Sequence, residues 1–384
     1  MSITPVPWDA PLDAYERQAA TVLSGFQARD PAVLDAVHHA HPRFLDDTVT
    51  WLPRPLSREE VAAAPFTMDD ARLAVARTYS FADWDALAEH VTAVSDVASP
   101  TYRFEAAVQA VIDGRGEALS RLLALDPGLV HARSRRRTCH DPSVHEATLL
   151  HYLVANGVEG VNQRTPGNAV EIAQLLFAAG ADPNATAGLY GGRCTVMSML
   201  VSSAHPHAAG VHVPLVDVLV SCGAQVEPAG EGTWRSPLRT ALVFGYSDVA
   251  QALVRHGATV DAFDVAAALG REEHVRSALP TASADELQRA LAFAAQLGHS
   301  GVVQRLLDGG ANPDLYNPEG MHSHATPLHQ AALVGHLDVV RTLVERGARL
   351  DIRDTLWHGT PLGWAEHGKQ QAVADYLKER GAPP

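Results

Sequence analysis

The sequence predicts an all-α protein, a solenoid of helix pairs that follows a helical N-terminal segment. The chain has 384 residues, which exceeds the roughly 250–300 residues at which single hydrophobic cores stop growing. The dipeptide Gly-Ala recurs where apolar helical patterns end, and Thr-Pro-Leu occurs twice, 34 residues apart, at Thr326 and Thr360. Such a period indicates stacked helical units. We therefore expect a helical segment over residues 1–98 and about seven to eight repeat units over residues 99–384.

Composition and charge limit the classes of function. A hydrophobic share of 46% with 19% charged residues is ordinary for a folded globular protein. The formal net charge of −14 argues against a nucleic-acid partner, because phosphate binding needs clustered Lys and Arg. The one basic cluster contains Arg133, Arg135, Arg136 and Arg137. We interpret it as a solvated loop or as a partner for the excess carboxylates.

Cysteine usage and the N-terminus predict a cytoplasmic location. Cys139, Cys194 and Cys222 are odd in number and lack framework spacing, which favours reduced thiols. The first 18 residues have neither the basic start nor the continuous apolar core of a signal peptide. No apolar stretch reaches the roughly 18–20 residues that cross a bilayer. We expect no membrane partner.

Helical patterns run through the N-terminal segment. Residues 12–29 and 31–40 each read as a helix. Thr67 is a candidate N-cap with Asp70 in the first turn, where negative charge suits the helix dipole. Another capped helix is expected over residues 80–91. The simplest interpretation is a cap that seals the first repeat, and a separate interaction domain is the alternative.

Each repeat unit is predicted to be a pair of short helices. Thr326 is suited to cap the first helix, and Pro327 occupies its first turn, where a missing N–H costs nothing. Gly335 breaks the chain between the helices, and Gly347 ends the second one. The Gly-Ala steps begin at Gly180, Gly223, Gly257, Gly310, Gly347 and Gly381. Since each pair has one apolar flank, it needs a neighbour to bury it.

This repeat resembles the ankyrin repeat. The best copy, residues 326–348, reads TPLHQAALVGHLDVVRTLVERGA, and the copy at residues 360–382 also follows the family pattern. The resemblance is weaker upstream and extends over residues 102–382. It implies a rigid array that binds a protein partner through its finger tips and concave face.

Two neighbouring units depart from the pattern. Thr148 and His151 stand where the family has its threonine and its structural histidine. Extra residues then follow at 158–167, and the next unit has a similar extension at 202–211. We expect both extensions to be loops between the two helices of a unit, beside each other on one side of the stack. Loops on a rigid scaffold often carry function.

Partner binding is predicted to centre on these two units and the finger after them. Aromatic and Arg side chains dominate interface hot spots, and histidines are able to bond or stack with a ligand. The predicted partner-binding residues are Arg164, Tyr190, Arg193, His205, His207 and Trp234. Tyr316 and Trp357 mark the C-terminal fingers, but those regular repeats are interpreted as scaffold.

Signatures of catalysis and metal binding are weak. The densest set of potential metal ligands is His140, Asp141, His145 and His151, without the spacing of a zinc site. Cys194 with a histidine would suit a nucleophile pair, whereas the preceding Gly-Gly is equally a hairpin turn. The sequence has no Walker motif, no GxGxxG after a strand and no HExxH. We predict no catalytic residue, no metal and no cofactor.

The leading hypothesis is a bacterial, cytoplasmic interaction scaffold with an unidentified protein partner. The alternative is a small-molecule or enzymatic site between the two long loops of residues 148–224. A pocket where Tyr190, Cys194, His145 and His205 converge would favour that alternative.

Overall fold

The computed structural model divides the chain into two compact units, Met1–Arg235 (unit 1) and Ser236–Pro384 (unit 2). The structure describes residues 5–49, 51–154, 160–189, 192–227 and 236–384. Both units are built mainly from short helices, as the predicted all-α helix-pair solenoid requires. None of the described helices is long and apolar enough to cross a bilayer.

The N-terminal segment of unit 1 has its own hydrophobic core. Its helices are α1 (Leu12–Gln27), α2 (Pro31–Ala40), α3 (Arg58–Ala63), α4 (Met68–Thr78) and α5 (Trp84–Val94). Tyr15, Val22 and Phe26 of α1 are buried in one cluster with Val75 of α4 and Leu87 of α5. The predicted cap of α4 is confirmed: the backbone N–H of Thr67 donates to the Asp70 carboxylate at 2.7 Å, and that of Asp70 donates to Thr67 Oγ1 at 3.3 Å.

The remainder of unit 1 consists of helix pairs with one hairpin. Its helices are α6 (Pro100–Ile112), α7 (Gly116–Leu125), α8 (Leu149–Val154), α9 (Ala169–Ala178), α10 (Val196–Leu200), α11 (Ala204–Ala208) and α12 (His212–Ser221). The pairs are α6 with α7, α8 with α9, and α10 with α12. Strands β1 (Thr186–Leu189) and β2 (Gly192–Thr195) pair antiparallel, with Thr186 opposite Thr195. The hairpin lies where a finger was predicted.

The structure differs from the sequence prediction at residues 202–211. This extension holds the short helix α11 instead of an irregular loop. Pro206 is compatible with α11 because it lies in the first turn, where backbone N–H groups lack a helical partner. Pro206 is buried, and the ring of His212 bonds to the carbonyl oxygen of Leu200 at 2.7 Å. The extension is therefore folded onto its own unit.

Backbone contacts tie the N-terminal segment to the first helix pair and its finger. Phe81 forms an antiparallel bridge with Thr138. The N–H of Ala82 donates to the carbonyl of Arg137 at 3.0 Å, and the N–H of Cys139 donates to that of Ser80 at 3.0 Å. These contacts agree with a cap on the first repeat, while the boundary at residues 98/99 stays a prediction.

Unit 2 is a regular stack of helix pairs. Its helices are α13 (Pro237–Val243), α14 (Ser247–Arg255), α15 (Phe263–Ala268), α16 (Glu272–Ala278), α17 (Ala284–Gln296), α18 (Ser300–Asp308), α19 (Pro327–Val334), α20 (Leu337–Glu345), α21 (Pro361–His367) and α22 (Gln371–Glu379). The first helices of successive pairs pack in the order α15, α17, α19, α21. Val302, Leu328, Val340 and Leu362 belong to one continuous buried core. Each pair thus buries its apolar flank against the next, as the repeat pattern predicts.

Candidate partner-binding surface

Four of the six predicted partner-binding residues fall within the part of the chain that the structure describes. Tyr190 and Trp234 lie outside the described residues. The other four lie in unit 1, and they are Arg164 before α9, Arg193 on β2, and His205 and His207 on α11. Their surroundings differ, so they are taken in turn.

Arg193 is exposed on a hairpin whose other face is buried. Its guanidinium donates to Thr186 Oγ1 across the strands, at 3.1 Å from Nε and 2.7 Å from Nη2. Ala187, Leu189 and Cys194 point into unit 1 and are buried. The hairpin is thereby anchored through one face and presents Arg193 on the other.

Cys194 does not have the environment of a nucleophile. Its Sγ donates to the carbonyl of Leu189 at 3.3 Å. Burial raises the pKa of the Cys194 thiol to about 12, so the thiol stays protonated near neutral pH. A reactive cysteine needs the thiolate form. The structure therefore gives the catalytic interpretation of Cys194 no support.

Arg164 is exposed, but its guanidinium is engaged in an intramolecular ion pair. Its guanidinium forms an ion pair with the Asp113 carboxylate at the turn between α6 and α7, and it donates to the carbonyl of Asn162 at 3.1 Å. Burial acts to raise the pKa of Asp113, but hydrogen bonds from Gln109 and Arg164 outweigh it, and the pKa lies below its usual value. The ion pair holds the first extension to the preceding helix pair. A lateral contact with the second extension stays a prediction.

The histidines of α11 are presented by the second extension. His207 is exposed, and its ring meets that of buried His212 edge to face, with centroids 5.9 Å apart. His205 is half-buried, and burial lowers its pKa. Because Pro206 is buried and the ring of His207 meets His212 of α12, the rings of α11 have a defined position from which to contact a partner.

A shared hydrogen-bond pattern relates α8 in unit 1 to α19 in unit 2. Thr148 Oγ1 lies 2.9 Å from His151 Nδ1, and the opposite ring nitrogen lies 3.4 Å from the carbonyl of Cys194. Thr326 Oγ1 lies 2.8 Å from His329 Nδ1, whose opposite nitrogen lies 3.2 Å from the carbonyl of Gly359. In both pairs the histidine ties a helix start to the following finger. The predicted structural role of His151 is confirmed.

His145 has a similar structural environment. It is buried, its Nδ1 accepts from the backbone N–H of Ala147 at 3.1 Å, and its carbonyl accepts from the N–H of Gly188 at 2.8 Å. Burial, with neighbouring Arg136, lowers the pKa of His145 to about 3, so the ring is neutral at physiological pH. Among the described residues, no three His, Cys, Asp or Glu side chains group closely enough to hold a metal ion. The absence of a metal from the protein stays a prediction.

A cleft of about 630 Å³ opens in unit 1 between α5, α6 and residues 131–146. We name it the arginine cleft because Arg133, Arg135, Arg136 and Arg137 all line it. The interpretation of these residues as carboxylate partners is confirmed for two of them. Arg136 pairs with buried Glu105 at 2.6 Å, and Arg137 pairs with Glu89 at 3.1 Å and Asp83 at 3.4 Å.

Sequence reasoning did not find this cleft. The four-arginine cluster was visible as a signal, but the wall that faces it comes from α5 and α6, whose lining residues lie at least 28 residues before Arg133, with Glu105 the nearest. Only the folding of the N-terminal segment against the first helix pair brings the wall and the arginines together.

A second cleft, of about 600 Å³, lies in unit 2. Buried Asp264 lies on its wall and accepts two bonds from Arg239, at 2.5 and 3.0 Å, while Arg289 Nε lies 3.5 Å away. These opposite charges are mutually satisfied. Cys194, His145 and His205 are absent from the described linings of both clefts, so no convergence of these residues in a pocket supports the small-molecule alternative.

The C-terminal fingers also expose aromatic side chains. Tyr316 is 42% exposed and donates its hydroxyl to the carbonyl of Arg353 at 2.7 Å. Trp357 is 55% exposed, although its ring meets that of His324 at 5.1 Å. Packing on the following helix accounts for the buried part of the Trp357 side chain, since its ring centroid lies 6.1 Å from that of Trp364. These fingers are a competing location for partner binding.

Comparison with known proteins is consistent with this geometry. A family model described as ankyrin repeats matches residues 263–355 and 291–384, in three copies. The match includes the weak copy at α15 and α16. No curated protein matches the chain. Ankyrin repeats are in general modules for protein–protein interaction. The match covers residues 263–384, so this part of the chain carries ankyrin repeats.

Proposed function

We propose that this protein is a cytoplasmic, bacterial scaffold that binds a protein partner through its finger tips and the concave face of the array. The binding surface is placed on the two extended units and the finger after them, at Arg164, Tyr190, Arg193, His205, His207 and Trp234. Nucleic acid and membrane are not its partners.

The observation that carries the proposal is the presentation of Arg193. The hairpin that bears it is buried on one face and paired along four residues, so its backbone is already ordered before binding. A preorganised arginine loses less conformational entropy on binding than one on a mobile loop. Arginine is also among the residue types that dominate interface hot spots.

Two further features support the same surface. Exposed His207 lies on α11, which is additional to the helix pair of α10 and α12. Ordering extra residues costs conformational entropy, so such an addition is expected to have a use. Arg164 contributes differently, because its ion pair with Asp113 holds the first extension in place. A partner would contact the exposed side of the Arg164 side chain.

The experiment begins with capture of partners from the native organism, by cross-linking to the purified protein and mass spectrometry. Affinity for the leading candidate is then measured by biolayer interferometry. The double change Tyr190→Ala and Arg193→Ala should weaken binding by more than about tenfold, which corresponds to about 1.4 kcal/mol. Arg121→Ala, which removes an exposed arginine of α7 that forms an ion pair with Glu117, should leave the affinity unchanged.

The competing location is tested in the same assay. If Trp357→Ala abolished binding while the double change left it intact, the surface would lie on the C-terminal fingers and this assignment would be wrong. Circular dichroism and the melting temperature of each variant should match those of the wild type, since Arg193, Arg121 and Trp357 are exposed and Tyr190 is predicted to lie at a finger tip.

A further inference from the structure

The arginine cleft carries positive charge that the protein does not neutralise. Arg136 and Arg137 are paired with carboxylates. Arg133 is exposed, and the bonds it makes go to the backbone carbonyls of Glu146 and Thr186, at 2.9 and 2.7 Å. Arg135 is exposed, and within the described ranges it makes neither a hydrogen bond nor an ion pair. Two guanidinium charges therefore face the cleft without a compensating carboxylate bonded to them.

One carboxylate of the lining is left over. The lining contains Glu89, Glu105 and Glu146, of which the first two are engaged by arginines. Glu146 is exposed and forms no ion pair within the described part of the chain. The four arginines and three glutamates of the lining thus give a formal surplus of one positive charge. This surplus stands out in a chain whose formal net charge is −14.

The wall of the cleft formed by α5 and α6 combines apolar residues with the polar side chains of Glu89, His90, Thr101 and Glu105. Phe104 of α6 lies on it together with Ala86 and Ala93 of α5 and Pro100 at the start of α6. Val144 lines the same space and is 37% exposed. A ligand in the cleft would therefore place an apolar body against this wall while a charged group faced Arg133 and Arg135.

The floor of the cleft is rigid. The side chains of Arg136 and Glu105 are 6% and 5% exposed, and the guanidinium of Arg136 also lies 5.2 Å from the centre of the Phe81 ring. The bridge between Phe81 and Thr138 fixes the backbone beside them. Because the backbone is fixed, ligand binding has to order chiefly the side chain of Arg135, which forms no hydrogen bond within the described residues.

We propose that the arginine cleft binds a small organic anion, with a phosphate or carboxylate head group on an aromatic or other apolar body. Its volume of about 630 Å³ lies in the ordinary range for small-molecule pockets, about 300–1,000 Å³. Guanidinium groups suit both head groups, since their planar N–H donors match two oxygens at once. The binding activity is additional to partner recognition and does not depend on it.

The test uses two aromatic anions, 2-naphthyl phosphate and 2-naphthoate, with neutral 2-naphthol and inorganic pyrophosphate as comparators. Isothermal titration calorimetry on the full chain should show saturable binding of at least one naphthyl anion to one site. Naphthol and pyrophosphate should bind at least about tenfold more weakly, because each lacks one of the two features that the cleft recognises.

A matched pair of variants locates the site. Arg133→Gln with Arg135→Gln should weaken binding of the naphthyl anion by at least about tenfold, as expected when charge-assisted hydrogen bonds are lost. Arg17→Gln with Arg121→Gln removes the same charge from two exposed arginines elsewhere in unit 1, whose side chains are 70% and 78% exposed. This control should bind as the wild type does.

Two single changes probe the walls separately. Glu146→Gln should tighten binding several-fold, since it removes the one unpaired carboxylate of the lining. Val144→Ser should weaken binding of naphthyl anions, while its exposed position spares the fold. Melting temperatures of all variants distinguish lost binding from lost structure.

Several outcomes would overturn the proposal. One is that neither naphthyl anion binds with a dissociation constant below about 1 mM. Another is equal loss of affinity in the two arginine pairs, which would indicate a general charge effect. Tighter binding of an acidic peptide such as Asp-Phe-Asp-Phe than of either naphthyl anion would assign the cleft to a protein segment instead of a small molecule.

Discussion

Glycine ends the second helix of successive repeats in a backbone conformation that other residues avoid. All the glycines of the predicted Gly-Ala steps have positive φ, namely Gly180 (97°), Gly223 (96°), Gly257 (94°), Gly310 (97°), Gly347 (91°) and Gly381 (80°). A side chain placed at Gly347 would meet no atom within 4 Å. The requirement for glycine there is consequently one of backbone conformation and not of space.

Glycine-to-alanine substitution at two positions of unit 2, one with positive φ and one inside a helix, tests this requirement. Gly347→Ala should lower the free energy of unfolding by about 1–2 kcal/mol, the cost of a side chain in the left-handed region. Gly363, inside α21, has an ordinary φ, and the nearest atom to an added Cβ is Thr360 Oγ1 at 3.7 Å. Gly363→Ala should stabilise the protein by up to about 1 kcal/mol through helix propensity. Urea denaturation measures both, and equal effects would contradict the register of the repeat.

At the scale of the element, the threonine and histidine at the start of a helix form one hydrogen-bonded motif. Thr148 with His151 and Thr326 with His329 adopt the same geometry although the first pair lacks the proline of the motif. The histidine ring receives hydrogen bonds at Nδ1 and bonds to a carbonyl of the following finger through Nε2. Only a neutral ring can accept a hydrogen bond at Nδ1 while it donates one from Nε2.

Protonation of His151 should destabilise the fold. Burial lowers the pKa of His151 to about 4, from an ordinary 6.5. Above pH 6.5 the folded and unfolded states are both neutral at this residue, so the stability does not change there. Between pH 6.5 and about 4, His151 is protonated in the unfolded state but stays neutral in the folded state. The free energy of unfolding therefore falls on acidification, by up to about 1.4 kcal/mol per pH unit.

The measurement is the free energy of unfolding by urea at pH 7, 6 and 5, for the wild type and for His151→Asn. Asparagine keeps a polar group near the position of Nδ1 but does not titrate, so the variant should show a shallower loss of stability on acidification. Parallel pH profiles would mean that His151 is protonated equally in both states.

At the scale of the whole molecule, the two units differ in how closely their helices follow the repeat pattern. Unit 2 follows the repeat more closely, and the boundaries of α19–α22 were readable because Thr-Pro starts and Gly-Ala ends recur there in register. Unit 1 departs from it, with extensions, a hairpin and an N-terminal segment that has its own core. The ion pair between Arg136 and Glu105 lies where that segment meets the first helix pair.

Removal of one partner of this buried pair should lower the free energy of unfolding more than removal of the exposed neighbour Arg137. Arg136→Met leaves the Glu105 carboxylate buried without its cation, which should lower the free energy of unfolding by about 3–5 kcal/mol. Adding Glu105→Leu to Arg136→Met should restore much of that loss, because no isolated charge remains. Arg137→Met, at an exposed ion pair, should cost about 1 kcal/mol or less. Thermal and urea denaturation report the differences, and equal costs for the two single changes would refute the argument.

Consecutive residues alone were enough to predict the helix pairs of the regular repeats, the cap of α4, the glycines at the helix ends and the structural role of His151. These features depend on local backbone conformation and on apolar spacing, both of which a chain carries in consecutive residues. The sequence did not determine that residues 202–211 hold a helix, whose His207 ring contacts that of His212 on α12. Nor did it show that Arg164 would be held by Asp113, or that Arg133 and Arg135 would line a cleft together with residues of α5 and α6. Only the tertiary structure decides such contacts, because they join residues that are distant in the chain and their charges interact only where folding brings them together.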